Sequence, residues 1–503
     1  MNKIKSLQEL EEILVKERSN GSTIVHCHGV FDLLHPGHIR HFKLAKNKGD
    51  KLVVTITPDR YVNKGPGRPA FTEQLRLESI AALEDVDYVV LTDSPDAVSI
   101  IKTIKPAIYV KGSEYRSHDS DVTGKIVDEV DAVQSVGGKI DYTEDIVFSS
   151  SSLLNRYLSD TPHQVKQFLH AIKDQYNLED LLKKINSLKD LKVLVIGDAI
   201  IDEYQYVDPL GISGKGHHMV SCCKEREIFL GGSLITANHI AQFTPNVTLI
   251  TALGKNCPHL EFIHERLDPN IKTQFVYTES ETLIKKRYVF KEEKHLSKLF
   301  ETYSTLNELG VSQTDKVVQY LQAASDYDLV LFIDFGNGFT NQTIIDATSN
   351  TKTFLALNTQ TNSGNRGYNV VTKHKRADYI SLNEAELRLS MHDKKTPLDG
   401  LMNAICQIMQ CQNISVTRGI NGVVCSSPQE CCEIPAFVTD SIDRIGAGDS
   451  YLALSALFLA QKHSIQIAGF MGSIAAAMSV QTVGNRESIN KASLCKFLTR
   501  LMK

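Results

Sequence analysis

The chain alternates short β-branched runs with helical patterns, and it does so in two separate series. Between Ser22 and Arg156, "TIVHCHG", "KLVVTITP", "VDYVVLT" and "AIYVKG" read as strands, with "HIRHFKLAKNKG" and "TEQLRLESIAALED" as helices between them. Such alternation implies a parallel sheet covered on both faces. A second series opens at "LKVLVIGD" and runs through "NVTLITALG", "DLVLFIDFGNG", "TFLALN", "ADYISLN" and "ISVTRGINGVVC". Apolar helices, "GSLITANHIAQF", "DSYLALSALFLAQ" and "GFMGSIAAAMSVQ", lie among these strands. Residues 160–190 carry a polar helical pattern without an apolar strand. The expectation is an α/β protein with one domain over 1–159, a helical linker over 160–190 and a larger doubly wound domain over 191–503.

Composition narrows the function classes. At 503 residues the chain is too long for one compact core, and no apolar run approaches the roughly 18 to 20 residues that a bilayer requires. No membrane role is expected. The N-terminal "MNKIKSLQELEEILVKERSNG" patterns as a charged amphipathic helix, not a secretion signal. Ten cysteines are scattered without a CxxC spacing, and two pairs are adjacent, Cys222-Cys223 and Cys431-Cys432. That usage fits reduced thiols in the cytoplasm. A net charge of -4 supplies no basic field, so nucleic acid is not an expected partner and phosphate recognition must be local.

Local sites stand out at two places. "GVFDLLHPGH", residues 29–38, follows a strand at once, where open parallel sheets bind ligands. Gly29 permits close backbone approach. His35 and His38 fall within one turn at a helix start, where imidazoles beside free N–H groups suit a polyphosphate and the charge developed in transfer. No third ligand is spaced nearby for a metal. Here the sequence resembles the cytidylyltransferase-like nucleotidyltransferases, whose GxFDxxHxGH signature it meets in full. The resemblance implies a Rossmann-like domain in which a sugar or polyol phosphate oxygen attacks the α-phosphate of a nucleoside triphosphate. It assigns His35, His38 and Lys64 to catalysis. Gly29, Phe31, Asp32, Arg68, Lys111 and Ser149, Ser150 and Ser151 go to the nucleotide, the last three through "FSSSSLLNRY". Arg76 follows the basic loop "TPDRYVNKGPGRP".

The second place is "DRIGAGDSYLALSALFLA", a glycine-rich turn, a carboxylate and a long apolar helix. Backbone N–H groups of Ile445 to Gly448 can form an anion hole, and Asp449 sits where a carboxylate could accept a proton from an attacking hydroxyl. By itself such a turn reads better as a helix entry with a capping Asp. "GDAIIDEY", "GGSLITANHIA", "NEAE" and "TRGING" precede it in an order that resembles the ribokinase-type sugar kinases, the phosphofructokinase B family, over residues 191–490. That resemblance implies a ribokinase-like fold with a small β-lid between "GDAIIDEY" and "FLGGS", often a dimer contact. It gives Asp198, Asp202, Gly231, Gly232 and Asn238 to the sugar, and Lys285 and Arg287 of "KKRYV" to a substrate phosphate. Asn383 and Glu386 would organise Mg²⁺ through water. Thr417, Gly419, Gly422, Gly446, Ala447 and Gly448 would hold ATP, with Asp449 the base.

Together the halves resemble the bifunctional heptose 7-phosphate kinase/heptose 1-phosphate adenylyltransferases of lipopolysaccharide precursor synthesis, with the domain order reversed. The resemblance implies synthesis of a nucleotide-activated sugar, with Mg²⁺ and ATP as cofactors, CTP remaining open at the first site. A homodimer through the lid and a separate phosphatase between the two steps are further expectations. Three features depart from the pattern: "ISGKGHH" in the lid, the insert "NTQTNSGNRGYN" at 358–369, and His28 where a small polar residue is more usual. Two other readings stay open: a glycerol or polyol phosphate cytidylyltransferase fused to its supplying kinase, or a nucleotidyltransferase carrying a kinase-like binding module.

Overall fold

The computed structural model describes residues 3–62, 68–94, 96–112, 125–143, 162–291, 296–304, 308–438 and 440–502. It divides into two compact units, Met1–Pro162 with Cys495–Lys503, and His163–Leu494. Among the described residues no helix is long and apolar enough to cross a membrane.

The first unit holds β1 (Ile24–Gly29), β2 (Lys51–Ile56), β3 (Tyr88–Leu91), β4 (Ile108–Gly112) and β5 (Lys139–Thr143) in the order β3-β2-β1-β4-β5. All neighbouring strands are parallel. Alternate side chains of β1 serve opposite faces: Val25 and Cys27 pack with Phe42 and Val54, whereas Ile24 joins Leu10, Leu14 and Ile101. The charged N-terminal segment is the helix Leu7–Ser19, started by a reciprocal Ser6–Glu9 capping box and laid on that second face by Leu10 and Leu14. β5 is a strand that the sequence pattern does not foretell, because "KIDYT" at the sheet edge lacks the apolar run of its neighbours. The chain proceeds outward from β1 to β3 and then returns to β4, so the strand order reverses between β1 and β4. A crevice opens at their carboxyl ends.

The main sheet of the second unit has nine strands: β6 (Lys192–Gly197), β9 (Asn246–Gly254), β10 (Lys272–Thr278), β13 (Leu329–Asp334), β14 (Phe354–Thr359), β15 (Tyr379–Asn383), β16 (Asn413–Thr417), β17 (Val423–Ser426) and β18 (Cys431–Ile434). Their order is β10-β9-β6-β13-β14-β15-β16-β17-β18. They are parallel up to β16, and β16, β17 and β18 pair antiparallel. Order reverses between β6 and β13, which sets a second crevice at Asp198 and Phe335. The remaining strands, β7 (Ala199–Ile212), β8 (Met219–Gly232), β11 (Ile284–Lys291) and β12 (Leu296–Tyr303), form a separate lid sheet in the order β12-β11-β7-β8. The β7–β8 hairpin is the lid expected from sequence; β11 and β12 complete it.

The helices Ala447–Ala460 and Ile465–Ser479 are apolar nearly all round and buried accordingly. They approach closely because Gly472 faces Tyr451, where a Cβ would stand 2.9 Å from the Tyr451 ring. Over 163–187, the expected linker consists of two packed helices, His163–Gln175 and Leu178–Ser187. They bury Val165, Leu169, Ile172, Leu181 and Ile185, and Phe168 sits 5.6 Å from the Phe470 ring. Period-3.6 apolar positions on a polar background create this one-sided packing.

Candidate active sites

In the first unit the strand β1 ends at Gly29, where a Cβ would come within 2.9 Å of the Phe31 ring. Phe31 itself takes a left-handed φ of 47°. The chain then enters the helix Pro36–Lys46 with His35 as N-cap, its Nδ1 accepting from Gly37 N–H at 3.2 Å. The His35 and His38 rings stack at 3.9 Å, and His35 Nε2 is buried without a protein partner. Burial lowers the His35 pKa, so the ring is neutral around pH 7. A neutral imidazole donating from a buried nitrogen at a helix start suits an anionic ligand.

Asp32 is fully enclosed, pairing with Arg68 at 2.7 Å and accepting from Ala70 N–H at 2.6 Å and Phe71 N–H at 3.3 Å. Arg76 is buried too, donating to the carbonyls of Thr57 and Phe71 and pairing with Asp59. These contacts tie the loop before the helix Glu73–Ala81 to the end of β1. Lys111, at the end of β4, pairs with Glu129 at 2.7 Å. His28 belongs to a hydrogen-bonded chain: Thr55 Oγ1 lies 2.8 Å from His26 Nε2 and 2.9 Å from His28 Nδ1, and Thr57 Oγ1 lies 3.3 Å from His28 Nε2. Lys64 and Ser149, Ser150 and Ser151 lie outside the described residues.

The second unit has a cavity of about 790 Å³ that gathers most of the sequence candidates. Asp202, Lys285, Arg287, Asn383, Glu386, Thr417, Gly419 and Gly422 all line it. So do Gly446, Ala447, Gly448 and Asp449. Gly446 adopts φ 81°, and any Cβ there would overlap Asn485 Oδ1. Only glycine fits that turn. Asp449 faces the cavity, and enclosing protein together with the charge of Asp202 pushes its pKa up to about 7.

Asp202 is buried and ion-paired with Arg287, whose Nε lies 3.1 Å from Glu301. Gly231 makes room for it: a Cβ there would stand 2.5 Å from Asp202 Oδ2. Lys285 is buried between two rings, 4.9 Å from Phe335 and 5.3 Å from Tyr303. Burial lowers its pKa, opposed by Asp202, Asp198 and Asp449. Glu386 forms a capping box with Asn383, with backbone N–H···O distances of 2.8 and 2.9 Å, and also accepts from Thr361 N–H. Burial raises its pKa to about 7.

Three candidates lie off the cavity wall. Asp198 stands behind it, accepting from Phe335 N–H at 2.8 Å. Gly231 acts through Asp202. Asn238 is occupied at both ends of its amide, donating to Arg266 O and accepting from Asp268 N–H, each at 2.8 Å. It thereby fastens the helix Ser233–Ala241 to the turn before β10 and does not line the cavity.

The pfkB family carbohydrate kinase model matches residues 190–492, more than half of the chain. The chain belongs to the pfkB carbohydrate kinase family. A second model, cytidylyltransferase-like, matches residues 26–157, so the nucleotidyltransferase-type domain precedes the pfkB domain. Among curated relatives, the bifunctional protein HldE of Syntrophotalea carbinolica is 39% identical over 142 residues, 28% of this chain and 28% of that protein. HldE of Geobacter metallireducens is 40% identical over 141 residues, 28% of this chain and 27% of that one. The chain thus spans little more than a quarter of these relatives' length. Phosphofructokinase-2 from Escherichia coli, solved in complex with potassium, superposes with a TM-score of 0.51 at 16% identity, covering 62% of this chain and 100% of that one. It shares the pfkB fold.

The pfkB cavity also holds residues that the sequence motifs pass over. Lys298, Glu301 and Tyr303 come from β12, Phe335 from the end of β13, and Arg444 from the segment before the glycine turn. Glu301 and Tyr303 enter through strand pairing, opposite Arg287 and Lys285 in the β11–β12 ladder, which no local motif announces. Val423, Ala436, Phe437, Val438, Ala476 and Val480 add apolar lining of a kind suited to a base.

Proposed function

We propose that the chain makes a nucleotide-activated sugar. In this reading the pfkB cavity phosphorylates a sugar phosphate, heptose 7-phosphate, at its anomeric hydroxyl. The N-terminal site then joins a nucleotidyl group to the sugar 1-phosphate and releases pyrophosphate. A separate phosphatase removes the first phosphate between the steps. The observation that carries it is Asp449, with a pKa of about 7, set near Lys285 and Asp202 in a cavity whose lining is otherwise partly apolar.

Asp449 takes the proton of the anomeric hydroxyl as its oxygen attacks the γ-phosphorus of ATP. The bond from that phosphorus to the β,γ-bridging oxygen breaks, and ADP leaves. Backbone N–H groups at Gly446 to Gly448 receive the phosphate charge. Glu386 accepts backbone N–H bonds at both oxygens, which leaves lone pairs for water more readily than for direct ligation. It and Asn383 therefore suit Mg²⁺ held through water; when bound, that ion neutralises triphosphate charge. In the first unit the sugar 1-phosphate needs no base, because it is already ionised. His35 and His38 hold the triphosphate while the phosphate oxygen attacks its α-phosphorus.

The lid tip exposes Leu210, Ile212 and Met219, which fits a homodimer formed through the hairpin. Cysteines free of disulfides fit a cytoplasmic setting. The decisive experiment follows phosphorus NMR of the purified chain with ATP and heptose 7-phosphate, and separately with heptose 1-phosphate plus ATP or CTP. A sugar bisphosphate in the first and pyrophosphate in the second are expected. Absence of both overturns the reading, and turnover of CTP with glycerol phosphate in place of heptose redirects it to a polyol.

A further inference from the structure

Residues 358–369, "NTQTNSGNRGYN", leave the end of β14 and cross the carboxyl ends of β13 and β14. A polar loop of this length usually costs order unless its backbone is satisfied. Here its own asparagines satisfy it. Asn362 Oδ1 accepts from the N–H groups of Gly364 and Asn365 at 2.8 and 3.0 Å, and Asn365 Oδ1 accepts from Asn362 N–H at 2.8 Å. Asn365 Nδ2 donates to Phe335 O at 2.8 Å. Asn369, buried, donates to Asp334 O and Gln360 O, both at 3.0 Å. Thr361 N–H reaches Glu386. The loop is a fixed wall of the kinase cavity, fastened beside Phe335 and Glu386.

That wall presents Arg366 to the cavity, exposed and without a carboxylate partner among the described residues. Of the other cations lining the cavity, two are held by carboxylates and a third is buried near several. Arg287 is held by Asp202 and Glu301, Lys298 by Asp443 at 3.1 Å, and Lys285 lies between two rings toward Asp202 and Asp449. Arg444, just before the glycine turn, donates to Ser441 Oγ at 3.3 Å. A guanidinium fork matches a phosphate dianion in two parallel bonds, and a fixed loop removes much of the ordering cost.

We propose that Arg366 binds the phosphate that the acceptor sugar already carries, so that the loop 358–369 selects phosphorylated over unphosphorylated sugars. The inference rests on the kinase reading above. The full chain and its Arg366→Gln and Arg366→Lys variants are assayed for ADP release with heptose 7-phosphate and with unphosphorylated heptose. Calorimetric titration of each protein with heptose 7-phosphate and with ADP accompanies the assay.

R366Q should raise KM for the sugar phosphate by ~10- to 100-fold, with kcat and the KM for ATP within about twofold, and R366K should recover part of the loss. Binding of the sugar phosphate should weaken equally while ADP binding holds. An unchanged preference for the phosphorylated sugar, a rise in the KM for ATP instead, or a wild-type chain that binds no sugar phosphate overturns the inference. If the wild type binds the sugar phosphate but never turns it over, and R366Q loses that binding, the kinase reading fails and the inference stands.

Discussion

The carboxyls of one site and the histidines of the other shift in opposite directions. In the pfkB cavity, Asp449 and Glu386 are carboxyls raised to about 7 by burial. In the N-terminal crevice burial instead lowers His35, and it brings His41 down to about 4. The physical cause is the same, since burial disfavours the charged form of an acid and of a base alike, and it lowers Lys285 in the pfkB cavity too. The sites differ in which group each offers a ligand. A sugar hydroxyl must lose a proton to attack, so its site needs a carboxylate poised near neutrality. A sugar phosphate arrives ionised, so its site needs donors that stay neutral and fixed.

Exchanging Asp449 for Asn breaks that contrast most severely. D449N removes the base and leaves the turn's backbone donors, so ADP release should fall by roughly 10³-fold or more while pyrophosphate release from the same protein is unchanged. Equal loss of both would show that the sites do not act separately. In the other direction, His35→Asn keeps an N-cap acceptor for Gly37 N–H but deletes the ring stacked on His38. Pyrophosphate release should drop by roughly 10²-fold with the melting temperature nearly constant and the kinase untouched. A large fall in melting temperature would mark His35 as a cap alone.

The contrast was only partly legible in the sequence. Parallel sheets place ligands at strand ends, so "GVFDLLHPGH" after β1 and "GAGD" at a helix start could be read as sites before any geometry was known. Residue roles that depend on partners distant in the chain could not. Asp202 reads as a sugar ligand, yet its carboxylate is fixed by Arg287, 85 residues on. Asn238 reads likewise, and its amide is spent on residues 266 and 268. The insert at 358–369 reads as a loop whose Asn, Gln and Arg side chains could bind a polyol or phosphate, but nothing local reveals that Asn365 and Asn369 close on the backbone of β13's end. β5 escaped because an edge strand need not be apolar on both faces.

The pH profile sharpens the comparison by about tenfold per pH unit below the pKa of the base. Asp449 acts as base only when ionised, and its raised pKa means that kcat/KM for ADP release should climb through about pH 7 and level off above it. Pyrophosphate release should lack that ascending limb. A kinase profile already flat from about pH 5 would remove Asp449 from the role of base. Gly231→Ala probes the same cavity more gently. Its Cβ would meet Asp202 Oδ2 at 2.5 Å, displacing the carboxylate from Arg287, so kinase kcat/KM should fall by ~10-fold with the N-terminal activity constant. Unaltered kinase kinetics would show that Asp202 tolerates displacement.

The smallest effect concerns stability. Asp198 is buried, accepting from Phe335 N–H at 2.8 Å, and burial, with the nearby charge of Asp334, raises its pKa to about 7. Because the folded pKa lies above the ordinary 3.8, the folded chain retains a proton that the unfolded chain has released between those values. The contribution of Asp198 to stability is therefore greatest below about pH 4 and is lost as pH rises toward about 7. Asp198→Asn cannot ionise and escapes that loss. Above about pH 4 the variant should gain on the wild type, by at most about 1.4 kcal/mol for each pH unit climbed, until Asp198 itself ionises. Melting temperatures measured at about pH 5 and about pH 8 should differ more between variant and wild type at the higher pH, by a few degrees. An equal difference at both pH values would assign the effect to packing, and would remove Asp198 from the carboxyls that set this unit apart from the histidine-lined one.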